Sequence, residues 1–173
     1  MDFFEAVEKR RSVRKYESRE FGRQEMKQIL DAINAAPSAG NLQGYEVVIV
    51  NDPTTKDALT KAAYGQAFIN EAPVSLVFCA DHARSAQKYG KRGADLYAVQ
   101  DATIAASYCQ LAATALGLAT VWVGAFDTKL AAEAVNAPTH VTPVAIITIG
   151  YAAEQPQRTP RRKTLDLIRD NRF

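Results

Sequence analysis

The sequence predicts an α+β (mixed α/β) fold in one domain, 1–173, with about four core strands covered by helices. Three observations carry this reading. Helical and β-branched segments interleave, yet the first strand arrives only after two helices, which departs from a regular βαβ alternation. The run Ala98–Leu118 is Ala-rich and holds a single formal charge, Asp101, with Ile104, Cys109, Leu111, Ala115 and Leu118 spread around the helical wheel. That pattern predicts a helix buried on most faces. Finally, 173 residues with 47% hydrophobic content are enough for a proper core.

The elements follow in chain order. Asp2 is a candidate N-cap, and Phe3, Phe4, Ala6 and Val7 recur at helical spacing, so residues 2–10 read as a short helix. The run Arg10–Tyr16 reads as extended. Arg23–Ala36 follows as a second helix with Met26, Ile29, Leu30 and Ile33 on one face. Pro37–Gly44 is a loop by composition, and Tyr45–Val50 a β-branched strand. Thr54–Tyr64 reads as a helix, Gln66–Ala72 as a short helical or loop segment, and Val74–Ala80 as a second strand. Asp81–Gly93 is polar and basic, a surface connection with some helical character, and both histidines, His82 and His140, fall in expected loops. The central helix is expected to end near Gly117 before the strand Thr120–Val123. Asp127 caps a helix to Asn136, Pro143–Gly150 is the last strand, and Leu165–Ile168 is a short amphipathic run in the tail.

Composition narrows the function classes. A net charge of +2, with no aromatic residues interleaved among the arginines, argues against a nucleic-acid partner. The central run is long enough to cross a bilayer at roughly 1.5 Å per residue. Asp101, Gln100, Gln110 and the missing basic flanks argue against that. The N-terminus lacks an apolar run of signal-peptide length, so a cytoplasmic location is the default. Cys79 and Cys109 lie in apolar runs and read as buried structural thiols, and no metal-ligand spacing stands out.

Three segments carry chemistry. If Arg10–Arg14 is extended, Arg10, Ser12 and Arg14 share one face, and two guanidinium forks around a hydroxyl suit a phosphate monoester. A solvated basic turn is the alternative. Arg161-Arg162-Lys163 is a second basic group that chain closure can bring near the first. In the loop from Pro37 to Gly44, Asn41 and Gln43 offer amide donors and acceptors for the edge of a heterocycle, while Gly40 allows close backbone approach. An ordinary helix-to-strand loop is the alternative there. The third segment is Trp122–Phe126, where a strand ends in small residues.

Taken together, RRSVRKY, APSAGNLQ, DATIAASYCQLAATALGLATVWVGAFD and PVAIITIGYAAEQPQRTPRRKTLDLI, in that order, resemble the nitroreductase family of FMN-dependent oxidoreductases over nearly the whole chain. The resemblance implies a central, mostly antiparallel sheet of about four to five strands flanked by helices, in an interlocked homodimer. It implies that Arg10, Ser12 and Arg162 hold the FMN phosphate, with Arg11 and Lys163 assisting. Arg14 would approach the pyrimidine side of the ring, where its charge favours the reduced anion. Pro37, Ser38, Asn41 and Gln43 would contact the flavin from the partner subunit, and Gly124 and Ala125 through their backbone. The central helix would form the core of the dimer interface.

The activity implied is hydride transfer from NADH or NADPH through FMN to an electron-poor small molecule such as a nitroaromatic or a quinone. Other members of the resemblance carry out dehalogenation or flavin cleavage, and a flavin carrier or sensor without turnover is the alternative from another class. Three departures stand out. Gly44-Tyr45 replaces the Pro-Trp pair that often follows the loop's Gln. The chain is short for the resemblance, which leaves Asp81–Gly93 as the only candidate lid. The tail ends soon after Ile168, which implies a modest C-terminal arm.

Overall fold

In the computed structural model, which describes all 173 residues, a four-stranded sheet is covered by helices on both faces. The strands are β1 (Tyr45–Val50), β2 (Val74–Asp81), β3 (Ala119–Val123) and β4 (Val141–Gly150), in the spatial order β1-β2-β4-β3 with every pair antiparallel. The mixed α+β reading and the mostly antiparallel sheet therefore hold.

The helices are α1 (Phe3–Lys9), α2 (Arg23–Asn34), α3 (Pro53–Ala62), α4 (Phe68–Glu71), α5 (His82–Arg92), α6 (Ala98–Ala115), α7 (Thr128–Ala134) and α8 (Thr164–Leu167). Alternation along β2 explains the layering. Leu76 and Phe78 join one core with Ile29 and Ile33 of α2 and Ala105, Cys109 and Ala113 of α6. Val77 and Cys79 join a second core with Leu59 of α3, Ile69 of α4 and Ala131 of α7. Because β2 and β4 are buried on both faces, their sequences are continuous apolar runs rather than alternating ones.

Local chemistry sets the boundaries. Asp2, Asp52, Asp81 and Asp127 each accept the N–H of the residue three positions on, starting α1, α3, α5 and α7. Gly117 adopts φ +79° after α6, with its N–H donating to Thr114 (3.0 Å) and that of Leu118 to Ala113 (2.9 Å), the paired bonds of a Schellman ending. A register shift at Phe78/Cys79 pairs Phe78 with Ala145 but Cys79 with Pro143. The bulge admits a proline, which has no N–H to donate, into an interior strand.

One expectation is corrected. The segment expected as a surface connection is the helix α5, capped by Asp81 and interrupted at Gly90 (φ 54°, ψ −140°) before the π-helical turn Gly93–Tyr97. His82 is accordingly the first residue of that helix, not a loop residue. Its Nδ1 lies 2.7 Å from the Ala94 carbonyl oxygen and its Nε2 2.9 Å from Thr142 Oγ1, tying α5 to the turn and to β4. The central helix, expected to need cover from this chain or from a partner subunit, is covered within this chain on one side. Ala98, Ala102, Ala105, Cys109 and Ala113 are buried, while Gln100, Ser107 and Tyr108 are exposed and Ile104 and Leu111 half-buried. No helix is long and apolar enough to cross a membrane.

Candidate functional site

The basic segment after α1 is fixed by the sheet. The Val13 N–H donates to the Thr120 carbonyl of β3 (3.0 Å), the Ala153 N–H to Lys15 (2.9 Å) and the Glu17 N–H to Tyr151 (2.9 Å). Ser12 pairs in parallel with Thr120, and Tyr16 antiparallel with Ala152. Buried Val13 and Tyr16 anchor the strip, and the Tyr16 hydroxyl donates to the Val13 carbonyl (2.8 Å) and lies 2.6 Å from Thr148 Oγ1. Burial pushes that phenol's pKa well up, so it stays protonated as a structural link.

Held this way, Arg10, Ser12 and Arg14 open onto a cleft of about 340 Å³ whose other wall is the tail from Pro156 to Arg161. Arg11 reaches the same cleft, because Arg10 is the C-cap of α1 and strict strand alternation begins only after it. The Arg11 guanidinium folds back onto the Glu8 and Arg10 carbonyls at the end of α1, where a cation suits the helix C-terminus. The Arg14 N–H donates to the Glu154 carboxylate.

The like charges are crowded. Burial, then Arg161, then Arg11 lower the pKa of the Arg10 guanidinium from its ordinary value. One lining carboxylate, that of Glu8, is engaged by Arg158 at 3.6 Å. Several guanidinium forks and a hydroxyl around a small cleft, with little acid to balance them, form a donor set that fits a phosphate monoester.

The tail residue that meets Arg10 is Arg161. Arg162, expected near the phosphate with Lys163, here donates to the Asp166 carbonyl at α8, and Lys163 sits exposed at the start of that helix.

The loop before β1 is a separate site. Ala39–Asn41 forms a single 3₁₀ turn, and Gly40, Asn41 and Gln43 all have positive φ (57°, 57° and 45°). Ser38 Oγ accepts the Gln43 N–H at 3.0 Å, and the Gln43 amide donates to Asn41 Oδ1. Pro37 and Ser38 border a hollow of about 530 Å³ against the start of α6, formed with Tyr97, Gln100 and Ile104. This hollow and the arginine cleft share no lining residue.

Gly124 and Ala125, just past β3, are exposed. Ala125 accepts from Gln66 Nε2 (3.0 Å), and a side chain on Gly124 would approach Trp122 Nε1 at 3.2 Å. Cys79 and Cys109 are buried free thiols, each pushed up to about 12, and no group of His, Cys, Asp and Glu is arranged to hold a metal.

The antiparallel sheet with helices on both faces is shared with solved nitroreductases. Nitroreductase A from Vibrio parahaemolyticus superposes with a TM-score of 0.92 at 27% identity, over 100% of this chain and 77% of that one. The NADPH:FMN oxidoreductase from Vibrio harveyi, solved with NAD+, gives 0.91 at 26% identity, over 99% and 77%. An NADH dehydrogenase from Thermus thermophilus is 34% identical over an alignment of 182 positions, which covers 90% of this chain and 89% of that protein. The model of the nitroreductase family matches residues 7–69 and 61–151, and the chain belongs to that family.

Proposed function

We propose that the protein is an FMN-dependent NAD(P)H oxidoreductase that reduces electron-poor acceptors such as nitroaromatics or quinones. The observation that carries this reading is the arginine cleft, a phosphate-type donor set in a chain of the nitroreductase family. The NADPH:FMN oxidoreductase named above, which was solved with NAD+, supports both the flavin and the nicotinamide. FMN, when bound, would supply the redox chemistry that links NADH or NADPH to the acceptor.

The chain's own residues bind and orient. Arg10, Ser12 and Arg161 would hold the phosphate, while Arg11 completes the wall and steadies the end of α1. Arg14, two residues on, is about 6–7 Å further along an extended chain and holds a fixed positive charge toward the ring. Gly124 and Ala125 present exposed backbone to the cofactor. The reaction needs no protein nucleophile, since hydride transfer is directed by position.

The site is completed in a homodimer. The uncovered side of α6, and the separation of the loop Pro37–Gln43 from the arginine cleft, support an arrangement in which each chain lends its loop to the other's cleft. Arg162 and Lys163 are exposed in this chain, and release of Arg162 from the Asp166 carbonyl would let both reach a phosphate in that assembly. The protein works in the cytoplasm on small molecules.

The deciding experiment is anaerobic mixing of the purified protein with NADH or NADPH while flavin absorbance is followed, then a panel of nitroarenes and quinones. Bleaching by a nicotinamide and recovery by an acceptor are expected. A protein that binds no FMN, or that binds it without any bleaching, refutes the reading.

A further inference from the structure

Asp101 is the only formal charge in the long apolar run, yet it is buried to 2% exposure and makes no ion pair. Its two oxygens are used separately. Oδ1 accepts the Ala39 N–H at 3.0 Å, and Oδ2 accepts the Gly44 N–H at 3.2 Å. These two amides bracket the segment in which Gly40, Asn41 and Gln43 lie at positive φ. Left-handed backbone at Asn and Gln is unfavourable in isolation and persists where the surroundings over-determine it.

We propose that Asp101 is the positioning residue of the loop Ser38–Gly44, a carboxylate staple that fixes both ends of the loop and thereby sets where Ser38, Asn41 and Gln43 meet the cofactor. The proposal rests on the flavin reading above, because it assigns those side chains to the ring rather than to the phosphate.

The chemistry selects a carboxylate. Both oxygens are acceptors, and both loop amides are donors, so the match is complete without a cation. An Asn of the same size has one acceptor oxygen, and its NH2 would face one of the two N–H groups. Position 44 is equally restricted. A Cβ on Gly44 would stand 2.0 Å from Ser85 Oγ and 3.1 Å from Asp101 Oδ2, so the backbone comes this close to the carboxylate only as glycine. A second anchor lies on the far side of the loop, where Arg84 Nε donates to the Leu42 carbonyl. The loop is thus held from α6 at its ends and from α5 at its middle, and its conformation is set by tertiary contacts.

The test uses Asp101→Asn in the full chain, with Gly44→Ala as a second variant that disturbs the same contact while keeping the carboxylate. Affinity for FMN and for riboflavin is measured by fluorescence titration, and amide hydrogen exchange is read without flavin. The expected result is a loss of about ten- to a hundred-fold for both flavins by the same factor, as follows from a charged hydrogen bond removed at the ring side. The amides of Ala39 and Gly44 are expected to exchange faster while those of β2 and β4 are unchanged. Arg10→Ala, measured in parallel, is expected to lose FMN selectively.

Unchanged flavin affinity, a loss confined to FMN, or accelerated exchange across β2 and β4 would overturn the proposal, the last by showing a general folding role. If Asp101→Asn does not fold, the same readouts on Gly44→Ala decide. Wild-type protein that binds neither flavin refutes the flavin reading itself, and the exchange at Ala39 and Gly44 then still decides whether Asp101 staples the loop.

Discussion

Arg10→Ala separates phosphate recognition from fold support. The guanidinium lines the cleft, and its pKa is lowered by burial and by the neighbouring cations Arg161 and Arg11. A charge-assisted hydrogen bond to a phosphate is worth about 1.5–3 kcal/mol, so FMN affinity should fall roughly ten- to a hundred-fold. Arg161 stays beside the vacated position and takes over part of the phosphate charge, which places the single variant toward the lower end. The double variant Arg10→Ala/Arg161→Ala should therefore lose more than the sum of the two singles. In the flavin-free protein the sign reverses, because removing one of several crowded cations relieves repulsion. Its melting temperature should stay level or rise. Calorimetric titration with FMN and riboflavin, with melting of both forms, checks each part. Equal losses for FMN and riboflavin, or a flavin-free protein that melts several degrees lower, would refute the reasoning and make Arg10 a structural residue.

Three further outcomes are expected. Arg14→Ala should make the flavin midpoint potential more negative by about 30–60 mV, at about 30 mV per 1.4 kcal/mol, and Arg14→Lys should restore much of it in a spectroelectrochemical titration. Gly117→Ala should cost about 1 kcal/mol and lower the melting temperature by about 2–4 °C, because φ is +79° and no atom lies within 4 Å of the added methyl, so the loss is one of backbone conformation alone. Cys79 and Cys109 should resist thiol reagents at pH 8 in the folded protein and react after denaturation, since burial holds both at about 12, with Glu46 adding to the effect at Cys79. Their contribution to stability is fully present below the unfolded thiol pKa of about 8.5 and is lost as pH rises from there toward 12, a decline that a pH series of denaturant midpoints would reveal.

Much of this protein is written locally and is legible in the chain. Asp2 and Asp127 cap their helices, Gly117 ends the central one, and β1 and β3 carry the β-branched residues that strands favour, because each of these preferences is settled within a few residues. The basic cluster Arg10–Arg14, proposed above to meet a phosphate, stands out for the same reason, since its spacing and charge are both in one short stretch. Asp101 left a signal too: a lone charge in an apolar helix must find partners when buried, although the sequence does not say which. Tertiary structure alone decided the rest. The order β1-β2-β4-β3, the bulge that admits Pro143, and the choice of Arg161 as Arg10's neighbour depend on pairings between distant segments, for which the chain has no local code. The loop Ala39–Gly44 shows why most clearly. Asn41 and Gln43 disfavour the positive φ angles they adopt, and contacts from distant positions, Asp101 to both ends and Arg84 to the middle, hold the loop there.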